Sequence, residues 1–185
     1  MTRKTQLVVL GGVLFLFFAA WLASPLLAVR GLISAAKAGD EAKLEQLVDF
    51  PAFRTSLKEE LNAKLVEQMR SDLGDRAGGL SGLGMILAPT LISGAVDAFV
   101  TPQAVAAMVR TGEAPNAKSV ARQRAGQPSE PSGKVHQGYS YRGLNTFAVR
   151  LTRDDKPEDY IDLLMERRGV FGWKLAAIDL PRKSN

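Results

Sequence analysis

The chain has 185 residues, of which 46% are hydrophobic and 23% charged, with a formal net charge of +5 and no cysteine. This length suits one domain of ordinary size. The lack of cysteine excludes disulfides, thiolate nucleophiles and cysteine-ligated metal centres. Basic residues are interspersed with acidic ones instead of forming a stripe, so we predict no nucleic-acid binding.

Residues 7–23 are the most apolar stretch of the chain, LVVLGGVLFLFFAAWLA, and carry no charge. As a helix with a rise of about 1.5 Å per residue, residues 6–23 come close to the ~30 Å thickness of a hydrocarbon core. Trp21 lies where an interfacial aromatic residue is expected. We predict an uncleaved transmembrane anchor at residues 6–23 after a short tail at residues 1–5, with the lipid bilayer as its partner.

Two alternatives for this stretch stay open, a cleaved signal peptide and a buried core helix. Signal peptidase needs small residues at the last and third-last positions before its cut, but Trp21 and Phe18 stand two positions before Ala23 and Ala20. This pattern disfavours cleavage. A soluble core helix rarely lacks any polar face, which disfavours the second alternative.

Basic residues near the span predict its orientation. Arg3 and Lys4 crowd the N-terminal tail, whereas Arg30, Lys37 and Lys43 follow the span at greater distance. The two counts are nearly balanced, but the density of charge favours a cytoplasmic N-terminus, and a long C-terminal domain can translocate despite its charge. We therefore predict a single-pass protein of the bacterial inner membrane whose domain faces the periplasm.

Residues 24–112 are predicted to form the helical part of the domain. Ser24 and Pro25 are typical of an N-cap and a first helical residue, so a helix is expected to begin there, nearly continuous with the anchor. Gly39 is expected to end this helix. Asp40 can cap the short helix that follows.

Residues 51–73 form the clearest amphipathic helix. Its apolar side chains recur at every fourth position, which places them on one slowly drifting stripe. They are Phe53, Leu57, Leu61, Leu65, Met69 and Leu73. We interpret the stripe as core packing, and a partner-binding surface is the alternative.

Residues 74–84 are rich in glycine but lack the ending of a phosphate-binding loop. Residues 85–100 are apolar enough to suggest a second span, but Asp97 alone costs about 2.5 to 3.5 kcal/mol near a bilayer centre. We therefore predict a bent helix here. The Thr-Pro pair at 101–102 is expected to cap a further helix, which Gly112 ends.

Residues 113–133 lose apolar periodicity and are rich in proline and glycine, which predicts a flexible linker or loop. Within residues 134–181 apolar residues alternate with a period of two, as in strands. The predicted strands are 135–142, 144–152, 160–167 and 173–180. The turn between the second and third strands is expected at residues 153–159. Helices followed by an antiparallel meander make the fold class α+β, with the helices packed on a curved four-stranded sheet.

Reactive residues form no recognisable constellation, so we predict no catalytic residues, no metal and no cofactor. Four residues could line a concavity beside the sheet and contact a ligand. They are Asp97, Tyr141, Arg150 and Trp173. His136, the only histidine, is expected at the surface. The alternative is an enzyme in which Asp97 acts with Tyr141 or His136 as acid and base.

Several segments carry a family resemblance. They are Ser-Pro at 24–25, Gly-Asp at 39–40, Val-Asp-Phe-Pro at 48–51 with Arg54 and Ser-Leu-Lys at 56–58, and Thr-Pro at 101–102. In these segments, from about residue 20 to 110, and again in the strands, the chain resembles the bacterial domain-of-unknown-function family 2939. The resemblance implies membership of that family and no particular activity.

The C-terminal strands carry a second resemblance. Leu163 to Met165, Gly-Trp-Lys-Leu at 172–175 and Ile-Asp-Leu-Pro at 178–181 are similar to the last hairpin of nuclear-transport-factor-2-like cone domains. That likeness implies helices packed on a curved sheet around a pocket, and it says little about function.

These features together predict a membrane-anchored periplasmic protein that serves as a non-catalytic binding or assembly module. Its expected partner is an envelope protein or a small apolar ligand. The alternatives are an enzyme of the cone fold and a purely structural envelope protein.

Overall fold

A computed structural model describes residues 3–72, 90, 92–114 and 134–181 of the chain. In these ranges helices come first and strands follow, so the α+β prediction is confirmed. The helices are α1 (Arg3–Ala38), α2 (Glu41–Leu47), α3 (Phe50–Asp72), α4 (Ile92–Phe99) and α5 (Pro102–Thr111). The strands are β1 (Val135–Tyr141), β2 (Thr146–Arg153), β3 (Lys156–Arg168) and β4 (Gly172–Asp179). The predicted glycine-rich segment and almost all of the predicted linker lie outside the described residues.

Helix α1 runs without a break through Pro25, so the predicted helix start at Ser24 is wrong. Proline has no N–H and cannot donate to the carbonyl of Trp21, four residues earlier. The hydroxyl of Ser24 donates to that carbonyl instead, at 2.7 Å. The local backbone deficit is thereby satisfied, and the helix of 36 residues reaches a length of about 54 Å.

The helix boundaries predicted at Gly39, Asp40 and Thr101 are confirmed, whereas the predicted end of the amphipathic helix at Leu73 lies outside the described residues. Gly39 has a φ of 66°, which glycine adopts readily, and Asp40 accepts a hydrogen bond from the Lys43 N–H at 3.0 Å to cap α2. Thr101 accepts from the Ala104 N–H at 3.2 Å to cap α5. The axes of α4 and α5 meet at 92°, so the apolar stretch that contains α4 bends where the sequence predicts a new cap.

The sheet is an antiparallel meander in the order β1-β2-β3-β4. Strand β3 begins at Lys156, which pairs with Arg153, so the predicted seven-residue turn is wrong. Leu151 of β2 pairs with Ile161 of β3, whereas Arg153 pairs with Lys156. The register of the two strands therefore shifts between Leu151 and Arg153. This irregularity accommodates Pro157, which has no N–H for a regular ladder.

One face of the sheet packs against the helices to form a single hydrophobic core. Leu151, Leu163 and Leu175 are buried on this face, beside Leu32 of α1 and Phe53 of α3. The backbone N–H of Asp49, which precedes α3, donates to the carbonyl of Leu175 in the edge strand β4 at 2.8 Å. Phe53 and Leu57 begin the predicted stripe and are fully buried, which confirms core packing for its first two turns.

The first half of α1 has no such partners. Its large apolar side chains between residues 7 and 22 are exposed, whereas the second half contributes buried residues to the core. Within the described residues one helix, from Gln6 to Ala38, is long and apolar enough to cross a membrane. The pair α4 and α5 meets the same criterion only if the two helices are counted as one, in spite of their bend.

Candidate functional site

The candidate site lies where α1 leaves its exposed apolar stretch and meets the sheet. Two residues of α1 and three residues of the strands contact one another there. We call this set the junction cluster: Trp21, Ser24, Tyr141, Arg167 and Trp173.

The guanidinium of Arg167 lies between two tryptophans. Its central carbon is 3.9 Å from the ring centroid of Trp21 and 4.2 Å from that of Trp173. A cation over an aromatic face contributes about 0.5 to 2 kcal/mol, depending on how far water is excluded. Because Trp21 belongs to α1 and Trp173 to β4, Arg167 joins the long helix to the sheet.

Arg167 also ties together the two turns at this end of the sheet. Its Nε donates to the carbonyl of Leu144 at 3.3 Å, and its Nη1 donates to the carbonyl of Val170 at 2.7 Å. Leu144 lies between β1 and β2, and Val170 lies between β3 and β4. No carboxylate among the described residues forms an ion pair with Arg167.

Ser24 serves two partners with one hydroxyl. The Nε1 of Trp173 donates to its Oγ at 2.8 Å, while the Oγ donates to the carbonyl of Trp21 at 2.7 Å. Both Ser24 and Trp173 are buried. A buried indole N–H without a partner costs free energy, and the Ser24 hydroxyl removes that cost for Trp173. The same hydroxyl donates to the carbonyl that Pro25 leaves unpaired in α1.

Tyr141 closes the cluster from the edge strand. Its hydroxyl donates to the carbonyl of Leu22 at 2.5 Å, and its ring meets Phe147 and Trp173 edge to face. Burial raises the pKa of Tyr141, and the charge of Arg167 opposes that rise. A raised pKa favours the protonated phenol, which is the form that donates the hydrogen bond to Leu22.

The structure brings two of the four predicted ligand residues together, Tyr141 and Trp173. Val149 pairs with Tyr139 and therefore lies on the same face of the sheet as Tyr139 and Tyr141. Arg150 is the next residue of β2, so its side chain lies on the opposite face. Asp97 forms an ion pair with Lys58 at 2.7 Å, between α4 and α3.

Arg150 belongs instead to an ion cluster on the outer face. Its Nε and Nη2 each donate to the buried carboxylate of Asp162 at 2.7 Å, and this pairing raises the pKa of Arg150. Arg142 also contacts Asp162 and reaches Asp179 at 2.9 Å. Since the carboxylate is held by two arginines, this cluster is suited to fixing the strands rather than to binding a further anion.

The acid–base alternative involves residues that have separate partners. His136 is exposed and pairs with Asp154 at 2.5 Å, whereas Asp97 pairs with Lys58 and Tyr141 with the backbone of α1. In the described part of the chain no three His, Asp or Glu residues could hold a metal ion together.

An open groove of about 480 Å³ lies beside the junction cluster. Its lining residues are Asn145, Thr146, Glu166, Arg167, Arg168 and Gly169. Arg168 pairs with Asp49 at 2.9 Å, which lowers the pKa of Asp49 and raises that of Arg168. Arg168 also pairs with Glu166 at 3.0 Å, so the charges of these two lining residues are paired.

Sequence reasoning missed Ser24 and Arg167 as members of the site. Arg167 has the same strand parity as the buried residues Leu163 and Met165, so an arginine at an inward position was the available signal. Ser24 offered no comparable signal, because Ser-Pro is typical of a helix start.

Fold and junction together define a class of protein: an α+β domain carried on one long helix whose first half is apolar on every side. The model of the family described as protein of unknown function (DUF2939) matches residues 14–108, about half of the chain. The chain belongs to this family. No curated protein and no solved structure matches it. The matched range contains Trp21 and Ser24 but leaves out the strands.

Proposed function

We propose that this is a single-pass protein of the bacterial inner membrane, whose domain is held at the periplasmic surface as a non-catalytic binding or assembly module. The observation that carries the proposal is the position of Arg167 between Trp21 and Trp173. The domain is fastened to α1 at the residue where the exposed apolar stretch ends. A domain fixed in this way has a defined distance from the membrane surface and a defined orientation relative to it.

The composition of the junction cluster supports an interfacial location. Tryptophan and tyrosine rings combine an apolar body with a polar group, which suits the boundary between hydrocarbon and water. The polar groups of Ser24 and Tyr141 are engaged in holding α1 against the sheet. Because these groups are already hydrogen-bonded, we assign them to holding α1 against the sheet and not to proton transfer. A pocket of the cone type, with an envelope protein or a small apolar ligand as occupant, stays a prediction.

Cysteine labelling of the full chain tests the membrane topology. Because the chain has no cysteine, a single Asp155→Cys substitution places one thiol in the exposed turn between β2 and β3. We expect a membrane-impermeant maleimide to label this thiol in intact spheroplasts. Lys4→Cys is the matched control and should react only after lysis. Labelling in the reverse order contradicts the proposed orientation, and extraction of the chain by alkaline carbonate contradicts the anchor.

Capture experiments test the binding role. The full chain, solubilised in mild detergent, is used for pulldown from envelope extracts and for a screen of apolar ligands. We expect a partner that binds the native chain and Arg110→Gln, an exposed control in α5, but that binds Arg167→Gln more weakly. Failure to recover any envelope component or ligand contradicts the binding module and favours a purely structural protein.

A further inference from the structure

Three large apolar residues are exposed at the end of the sheet that carries the junction cluster. Leu144 is 72% exposed, Val170 54% and Phe171 46%. Leu144 belongs to the turn between β1 and β2, and the other two belong to the turn between β3 and β4. We call these three residues the tip. Arg167 holds the two turns of the tip together through their backbone carbonyls.

The tip is level with the apolar half of α1. The ring of Phe171 contacts that of Phe17 edge to face, with 5.5 Å between their centroids. Phe17 precedes Trp21 by one helical turn, which is about 6 Å along the axis. The tip therefore reaches past the junction cluster toward the N-terminus of α1, away from the core.

Helix length fixes what surrounds the tip. Residues 7–23 span only about 25 Å as a helix, less than the ~30 Å of a hydrocarbon core. A membrane boundary at Phe17 leaves residues 7–17, about 16 Å, which is too short to cross. If α1 spans the bilayer, Phe17 lies inside the apolar layer, and so does the ring that touches it.

We propose that the tip inserts into the outer leaflet beside α1 and forms a second contact of this protein with lipid. The inference rests on the proposed anchoring and adds to it that the domain itself enters the bilayer. The transfer of exposed leucine, valine and phenylalanine side chains from water into an apolar layer lowers the free energy. Directly behind them, Arg167 lies between two tryptophans and donates to both turns, which fixes the tip close to the level expected for interfacial aromatic residues.

Depth-dependent quenching tests this insertion in the full chain. The protein carries a single environment-sensitive fluorophore on Val170→Cys and is reconstituted in phosphatidylcholine vesicles with brominated acyl chains. We expect quenching several-fold stronger than for the same fluorophore on Asp155→Cys, at the opposite end of the sheet. Leu14→Cys in the apolar half of α1 is the positive control. Quenching at Val170 no stronger than at Asp155 overturns the proposal.

Substitution of Phe171 separates insertion by the protein from insertion by the fluorophore. Phe171→Asp should abolish most of the quenching at Val170, whereas Phe171→Leu should retain it. Equal quenching in both variants overturns the proposal. Thermal unfolding of both variants verifies that this exposed turn tolerates the changes.

The same variants, with and without the fluorophore, distinguish the inference from the proposed anchoring and from a second copy of the chain. Failure of the native chain to float with vesicles, with no quenching at Leu14→Cys, refutes the anchoring and the inference together. Flotation with quenching at Leu14→Cys but none at Val170 refutes the inference alone. Efficient disulfide formation between two unlabelled Val170→Cys chains, together with no lipid quenching of the labelled chain, also refutes it, because the tip is then covered by a second copy.

Discussion

The two halves of α1 share one continuous backbone but have opposite surroundings. Leu14, in the first half, is 49% exposed, whereas Leu32, in the second half, is 1% exposed and packs in the core. Residues 7–23 are apolar on every side, whereas the second half carries charged residues and buries Val29, Leu32 and Ala36 in the core while Leu27 stays exposed. Apolar content alone therefore does not assign an environment to a helix. The angular distribution of the apolar residues does so.

The largest expected contrast comes from the same substitution in each half. Leu32→Ala removes a fully buried side chain and should lower the free energy of unfolding by about 2 to 5 kcal/mol. Leu14→Ala should change it by less than about 0.5 kcal/mol, because this side chain is half exposed and lies outside the core formed by the described residues. Denaturant titration of the full chain in micelles, followed by tryptophan fluorescence, measures both. Equal effects contradict the division of α1 into two environments.

A second contrast concerns the residue at the boundary between the halves. Ser24→Ala leaves the indole N–H of Trp173 and the carbonyl of Trp21 without their partner, and should cost about 1 to 3 kcal/mol. Ser34→Ala, at an exposed position of the same helix, is the control and should be nearly neutral. The same titration measures both changes. If Ser24→Ala is as neutral as Ser34→Ala, the hydroxyl does not join the helix to the sheet.

Arg167→Gln should loosen the junction with a smaller loss, about 0.5 to 2 kcal/mol, since it removes the cation from between two tryptophans. We expect faster amide hydrogen exchange near Trp21 and in the turn that contains Val170. Arg167→Lys should restore only part of the protection, because an ammonium cannot donate in the fixed fork of a guanidinium. Unchanged exchange in Arg167→Gln contradicts the fastening role on which the proposed function depends.

The smallest expected effect distinguishes the domain from residues 7–23 by the dependence of stability on pH. The pKa of Asp49 is lowered by Arg168, so this pair stabilises the domain above the ordinary pKa of a carboxyl group and loses its effect as pH falls through the lowered value. For a partly exposed pair the loss is about 0.3 to 1 kcal/mol. Asp49→Asn should remove this part of the acid sensitivity. The membrane attachment of the chain should not depend on pH in this range, because residues 7–23 contain no titratable side chain.

Local signals made much of the helical part predictable. Asp40, Thr101 and Gly112 act through hydrogen bonds or backbone angles within a few residues, so their roles are visible in the sequence. The start of β3 was missed because it depends on how Arg153 pairs across the sheet, which neighbouring residues do not encode. Pro157 made the error more natural, since proline usually lies outside strands.

The junction cluster was predicted only in part, for a related reason. Tyr141 and Trp173 could be singled out as aromatic residues on strands, but their partners lie in α1, far away along the chain. Ser24 misled because a Ser-Pro pair suits a helix start and can also continue a helix when the hydroxyl replaces the missing donor. Only the tertiary contact between Ser24 and Trp173 distinguishes these two roles.

The unbroken passage of α1 through Pro25 has a consequence for encounters in a membrane. If α1 spans a bilayer as proposed, no joint separates its apolar first half from the core, and every copy presents the same surface in the same direction. Part of the rotational entropy that a freely tumbling domain loses on association is then already lost. A partner confined to the same membrane can therefore be captured through a small contact area, and a partner in solution gains less from this geometry.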